Sequence, residues 1–334
     1  MSREPQTSLQ ISLAPNDLPH ARHVLPHQLR RWAHQVDEAI LVIDAGPSPD
    51  RPPPEKRQNL ADLRQLVHAF CAEYRNARVV EVDYSPDVAR ELALTYFQRP
   101  SLPVTDWNGT AFYAYFFGLW SARNRYVLHM DSDMLYGGGS STWVNEAMEL
   151  LSHRSDVLLC SPLPGPPTDD GRLKSQTLPL EPHTSLAYRA FWMNTRVFFM
   201  DTSRFHDRIG HLPLASPPWR HILRAAIEGR PPYALPEEII SQAMARHGLV
   251  RLDFLGRAPG VWSVHPPYRS ALFYERLPSV IEAVEAGKVP DAQRGDHDIN
   301  DSMVDWTSAR MSHRQKLNKH RRLVTGNLTA KLAR

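Results

Sequence analysis

Tyr126-Val127-Leu128-His129-Met130-Asp131-Ser132-Asp133 is the stretch on which the fold of this chain turns. An apolar run of strand length ends in two carboxylates one residue apart, and the Gly-rich turn Gly137-Gly138-Gly139 follows. Like charges at that spacing repel unless a cation or hydrogen-bond donors lie between them, so a central strand has no reason of its own to end this way. On the residues alone two readings stay open. One is a divalent metal site holding a phosphate-bearing ligand; the other is a cap for the helix beginning near Ser141 together with a supported turn.

Outward from that stretch the chain alternates strands and helices. Leu9 to Ala14 alternates apolar and polar residues and predicts a strand, followed by a helix from about His20 to Gln35 on Val24, Leu25, Leu29 and Trp32. Ala39 to Ile43 is a continuous apolar run, the mark of a strand buried on both faces, and it ends in Asp44-Ala45-Gly46. Gly46 to Arg57 predicts a loop, Asn59 to Tyr74 a helix, Arg78 to Asp83 a strand, and Thr110 to Ala122 a helix running into the opening stretch. This order implies a mostly parallel sheet with helices on its faces, and such sheets bind ligands outside the carboxyl ends of their strands. Asn16, Asp17, Asp44, Asp83, Asp131 and Asp133 all fall at those ends.

The second half is less regular. A helix from Thr142 to Leu151 and a strand from Val157 to Cys160 lead into a Pro-rich loop from Ser161 to His183. Phe191 to Met200 predicts a strand, and Leu212 to Pro232 an irregular region holding one helix from Trp219 to Ile227. Pro236 opens a helix with Glu237 and Glu238 in its first turn, which stops at Gly248, and Leu249 to Leu255 predicts a strand.

With 334 residues, 42% of them hydrophobic, the chain can bury a sizeable core as one large domain or two ordinary ones. Its formal charge of +3 is unevenly spread, for Thr307 to Arg334 carries eight Lys or Arg and no acid. Cys71 and Cys160 make no disulfide framework and have no metal spacing, which suits a reducing compartment. Met1 to Gln10 lacks the apolar core of a signal peptide and no stretch is long enough to span a membrane, so the expectation is a soluble cytoplasmic protein. The basic segment Ala309 to Arg334, with Met311, Leu317, Leu323, Leu328 and Leu332, reads either as a helix in peripheral contact with an anionic membrane or as a solvated tail or core-covering helix. It has no interleaved aromatics, and no nucleic acid partner is expected.

In the order Asp44-Ala45-Gly46, Asp131-Ser132-Asp133, then Glu237-Glu238 ahead of Gly248, the sequence resembles the glycosyltransferases of GT-A fold, particularly their family 2-like branch, from about Leu9 to Pro267. Ala114, Gly118 and Ala122 match the small positions of the helix before the acidic strand, although close helix-to-sheet packing explains them equally. The resemblance implies a Rossmann-like α/β catalytic domain over 1–267, with a nucleotide-sugar half to about 135 and an acceptor half from 136, then a basic helical extension over 268–334. It implies that Asp44 contacts the nucleoside, with Asn16 and Asp17 at the matching first-strand edge. Asp133 would bind Mn²⁺ or Mg²⁺, Asp131 would share the ion or face ribose or sugar hydroxyls, and His265 would complete the metal shell. His265 also reads as an ordinary strand-end histidine.

Glu237 and Glu238 match the acidic pair that supplies the general base in inverting members, with Glu238 favoured. The second acid of that pair is usually Asp, and acids in a first helical turn are also favoured by the macrodipole alone. The implied activity is metal-dependent transfer of a sugar, hexosyltransferase-like and inverting, from a nucleoside-diphosphate sugar to a hydroxyl of a glycan, a lipid-linked acceptor or a small molecule. The alternatives are a non-catalytic sugar-nucleotide-binding or scaffold protein and a sugar nucleotidyltransferase. The latter needs a Gly-rich basic phosphate loop where Ala14-Pro15-Asn16-Asp17 stands, and a phosphatase of Asp-x-Asp type would carry its acids on the first strand.

Overall fold

Thr7–Leu13 (β1) and Glu38–Ile43 (β2) pair in parallel across the helix Leu18–Trp32 (α1). A computed structural model describes them within residues 7–47, 54–174, 176–181 and 186–310. β2 shows why the sheet is covered on both sides. Ala39, Leu41 and Ile43 join a buried cluster with Trp32, Leu63 and Val67, whereas Ile40 and Val42 join a second cluster with Tyr96 and Phe116. Side chains alternate across a strand, so an unbroken apolar run demands an apolar layer on each face. Pro54–Ala72 (α2) supplies the first layer together with α1; Pro86–Phe97 (α3) and Tyr113–Trp120 (α4) supply the second.

Ala77–Glu81 (β3) pairs with β2, and Tyr126–Asp131 (β4) pairs in parallel with β1. After β4 come Leu135–Gly138 (β5), Trp143–His153 (α5), Val157–Pro164 (β6), Ala187–Ala190 (β7), Val197–Asp201 (β8) and Thr202–Ile209 (α6). Trp219–Glu228 (α7), Pro236–Arg246 (α8), Val250–Phe254 (β9), Val261–Val264 (β10) and Ala271–Glu285 (α9) complete the elements that matter here. The sheet runs β3-β2-β1-β4-β8-β6-β10-β5, with β9 on β6 and β7 on β9. β8 is antiparallel to both β4 and β6, which makes the sheet mixed and mostly parallel.

Several elements differ from the sequence reading. The passage before Pro100 holds α3, opened by Pro86 and carrying Val88, Leu92 and Tyr96 at helical spacing. β6 runs on through Ser161 to Pro164, because Leu163 pairs with Trp262 of β10. The strand expected from Phe191 begins only at Val197, and Phe191 and Trp192 are exposed. The chain after residue 267 belongs to the same body: Phe273, Leu277 and Val284 of α9 form a third apolar cluster with Trp262, Val264 and Trp306. The basic segment from Met311 onward lies outside the described residues. Among the described residues no helix is long and apolar enough to cross a membrane.

Candidate active site

The carboxyl ends of β1, β2 and β4, the start of α8 and the loop ahead of α9 enclose a cavity of about 250 Å³. Asp17, Asp44, Asp106, Asp131, Glu237 and Arg269 stand on its wall. The turn after β4 is held from behind by α1. Buried Gln28 donates from Nε2 to the carbonyls of Asp131 at 2.9 Å and Met134 at 3.0 Å, while Asp131 N–H donates to the Arg196 carbonyl at 2.8 Å. So clamped, the two acids part company: the Asp131 side chain is 43% exposed on the cavity wall, and Asp133 is buried beside it.

Asp133 is held by a cation from the far end of the chain. Its Oδ2 accepts from Arg269 Nη2 at 2.8 Å and Nε at 3.3 Å, and Arg269 Nη1 donates to Asp17 Oδ1 at 2.8 Å. His265 Nε2 lies 3.9 Å from the same Oδ2, and its Nδ1 lies 3.4 Å from Asp298 Oδ1. Burial pushes the Asp133 carboxyl up, but the His265 and Arg269 charges outweigh it and hold the group below its usual range. Burial alone would lower the Arg269 guanidinium; Asp133 and Asp17 raise it instead, so it stays charged.

Does this donor set fit a divalent ion? Asp133 Oδ1 is buried with no hydrogen-bond partner, and His265 supplies a nitrogen close to the other oxygen. Among the described residues no three His, Cys, Asp or Glu side chains converge as a ready ligand set. The residues therefore fit an ion held by two protein donors, with phosphate oxygens and water completing the shell, which is how Mg²⁺ commonly binds.

Asp44 is fixed at the end of β2 by donors from Tyr84 Oη at 2.8 Å and Gly46 N–H at 2.7 Å. Asn16 is exposed and absent from the wall, and Asp83 is exposed and accepts from Ser85 N–H at 2.7 Å. Glu237 lines the cavity and accepts from Thr195 Oγ1 at 3.2 Å. Glu238, favoured on sequence as the base, is off that wall: its Oε2 accepts from Leu235 N–H at 3.2 Å and closes the first turn of α8.

Three wall residues escaped the sequence reading. Arg269 stands two residues beyond Pro267, where the catalytic part was expected to have ended. His129 sits inside the apolar run; the Gln10 side-chain carbonyl accepts from its Nδ1, leaving Nε2 buried, without a partner and 3.7 Å from Asp131 Oδ1. Asp106 lies on an irregular loop, its Oδ1 bound by the N–H groups of Asn108 and Thr110 and its Oδ2 unpartnered. Burial pushes that carboxyl above its usual range. Only His129 gave a sign of itself, as a titratable side chain inside the apolar run of β4.

No family model and no curated protein matches the sequence. Similar solved structures are glycosyltransferases of GT-A type. One is residues 1–349 of TarS of S. aureus in complex with UDP-GlcNAc, 11% identical over 86% of this chain and 68% of that one, with a TM-score of 0.42. Another is the mannosyltransferase PcManGT of Pyrobaculum calidifontis in complex with GDP-Man and Mn²⁺, 12% identical over 77% of this chain and 59% of that one, with a TM-score of 0.33. The galactosyltransferase LgtC with donor and acceptor sugar analogues is 14% identical over 60% of each chain, with a TM-score of 0.29.

Proposed function

We propose that the cavity binds a nucleoside-diphosphate sugar and transfers its sugar, with inversion, to an acceptor hydroxyl. The observation that carries this reading is the convergence of Asp17, Asp44, Asp131, Glu237 and Arg269, from five separate parts of the chain, on one cavity at the carboxyl edge of a parallel sheet. In this reading Asp44, oriented by Tyr84 and flanked by Leu13 and Val42 on the wall, contacts the nucleoside. Arg269 takes the diphosphate in this reading, since a planar guanidinium already held between two carboxylates can turn a nitrogen to a phosphate oxygen. Asp131 and His129 Nε2 face the sugar and ribose hydroxyls.

In the reaction the acceptor oxygen attacks the anomeric carbon, Glu237 takes the acceptor proton, and the bond to the diphosphate oxygen breaks with its electron pair leaving on phosphate. Thr195 holds one oxygen of Glu237 and leaves the other for that proton. Asp133 and His265 would hold a divalent ion, Mn²⁺ or Mg²⁺, whose charge when bound offsets the negative charge growing on the leaving diphosphate. Incubation with a panel of nucleotide sugars and simple acceptors tests the reading. Metal-stimulated release of nucleoside diphosphate, and a product whose anomeric configuration by NMR is opposite to the donor's, are expected. Retention of configuration would overturn the inverting assignment, and no turnover of any nucleotide sugar would overturn the transferase.

A further inference from the structure

Helix α7 is built inside out. Its apolar residues Trp219, Ile222, Leu223, Ala226 and Ile227 recur at helical spacing on one stripe and are all exposed. Two of its polar residues turn inward instead: His221 stacks on Trp107 with ring centres 3.8 Å apart, and Glu228, its side chain 2% exposed, takes Arg224 at 2.9 Å and Arg230 at 2.8 Å. A surface helix in water normally does the reverse, so the outward stripe calls for an apolar partner.

The charge around the stripe favours one partner. Within α7 the charged residues are Arg220, Arg224 and Glu228, and Glu228 is already neutralised within the fold by Arg224 and Arg230, which leaves Arg220 as the charge beside the stripe. Arg220 is exposed beside the stripe with its guanidinium 5.5 Å above the Trp219 ring, the pairing of aromatic and cation that suits a headgroup boundary. At 68%, 37%, 54% and 41% exposure, Trp219, Ile222, Leu223 and Ile227 offer about 400 Å² of surface, taking roughly 150–250 Å² per large side chain. That is half of the roughly 800 Å² each partner contributes to a stable protein interface. A second copy of the chain is therefore a poor occupant.

We infer that α7 seats its outward stripe in the headgroup boundary of an anionic lipid surface. Trp107, against which His221 stacks, follows the cavity residue Asp106, and the chain after α7 reaches the wall at Leu235 and Glu237. Docking on α7 thus brings the cavity rim to the lipid surface, and an acceptor carried by that surface follows if the transfer reading above holds. The docking itself does not depend on that reading, and its test uses no turnover.

The test is co-sedimentation of the full chain with vesicles of phosphatidylcholine containing about one-third phosphatidylglycerol, against pure phosphatidylcholine. Wild type is expected to bind the anionic vesicles, and the triple variant W219S/L223S/I227S to bind them at least about tenfold more weakly with unchanged thermal unfolding. Brominated lipid is expected to quench wild-type tryptophan fluorescence, and Trp219→Phe to remove most of that quenching. Equal binding by the triple variant, or equal quenching in Trp219→Phe, would overturn the inference. A self-association abolished by the triple variant, with no vesicle binding by wild type, would overturn it in favour of a second copy.

Discussion

Arg269 and Asp133 stand 136 residues apart in sequence and meet through two nitrogens on one carboxylate oxygen, while Asp17 takes the remaining arm of the guanidinium. One fixed positive charge thus already sits where a divalent ion would bind, and it competes with that ion for Asp133. Mn²⁺ alone should bind weakly, and should bind much more tightly when a nucleoside diphosphate offers Arg269 another partner. Arg269→Met should raise affinity for Mn²⁺ alone by about tenfold or more, since it leaves two carboxylates without their counter-charge. Electron paramagnetic resonance of free Mn²⁺ measures this directly. Unchanged or weaker Mn²⁺ binding by the variant would contradict the competition.

The adjacent glutamates of α8 should separate cleanly. Glu237→Gln keeps the shape of the cavity wall but removes the proton acceptor, and kcat should fall by about 10²–10⁴. Glu238→Gln should leave kcat within a few-fold and lower stability by about 1 kcal/mol, through a weakened bond to Leu235 N–H. Turnover retained in Glu237→Gln would move the role of base elsewhere, with Asp106, whose Oδ2 on the same wall has no hydrogen-bond partner, the first candidate.

Acid should weaken the join between α1 and α9. His27 is buried with Tyr136 N–H donating to its Nε2 at 2.9 Å, so its proton lies on Nδ1 and points to Glu285 Oε1 at 2.7 Å. Burial lowers the His27 pKa, Glu285 opposes that fall, and Arg31 and Arg30 add to it. The unfolded chain takes up this proton near pH 6.5 and the folded one only at lower pH. Stability is therefore held above that pH and lost as pH falls below it, by about 1.4 kcal/mol per pH unit for one proton. Glu285 acts in the same direction lower down: its hydrogen bond with His27, aided by Arg30, brings it to about 2 from 4.5, so its contribution is lost as pH falls through that window. Denaturant titrations at several pH values should show the upper slope, and His27→Gln should flatten it. A stability that does not change between neutral pH and pH 5 would contradict this account.

The first half of the fold was legible because its cues are local. The unbroken run Ala39 to Ile43 announces a strand covered on both faces, and the acid after it announces the carboxyl edge. Gly118 was read as a small position for close packing, and a Cβ there would come within 2.7 Å of the Gln10 amide that holds His129. What stayed hidden depends on contacts between distant segments. Whether Glu237 or Glu238 faces the cavity is decided by about 100° of helical rotation and one backbone N–H. Arg269 reaches Asp133 only because α9 packs against α1 and β5, which no local periodicity encodes. β8 runs antiparallel between β4 and β6, a reversal that its apolar residues cannot signal.

The central claim is that this cavity takes a nucleoside diphosphate by its charged edge. Calorimetric titration with a set of nucleoside diphosphates, in the presence of Mn²⁺, tests it most directly. The account predicts one-to-one binding of at least one of them to the wild-type chain and its loss in a folded Asp133→Ala variant. Binding undiminished in that variant, or no binding of any nucleoside diphosphate to wild type, would contradict it.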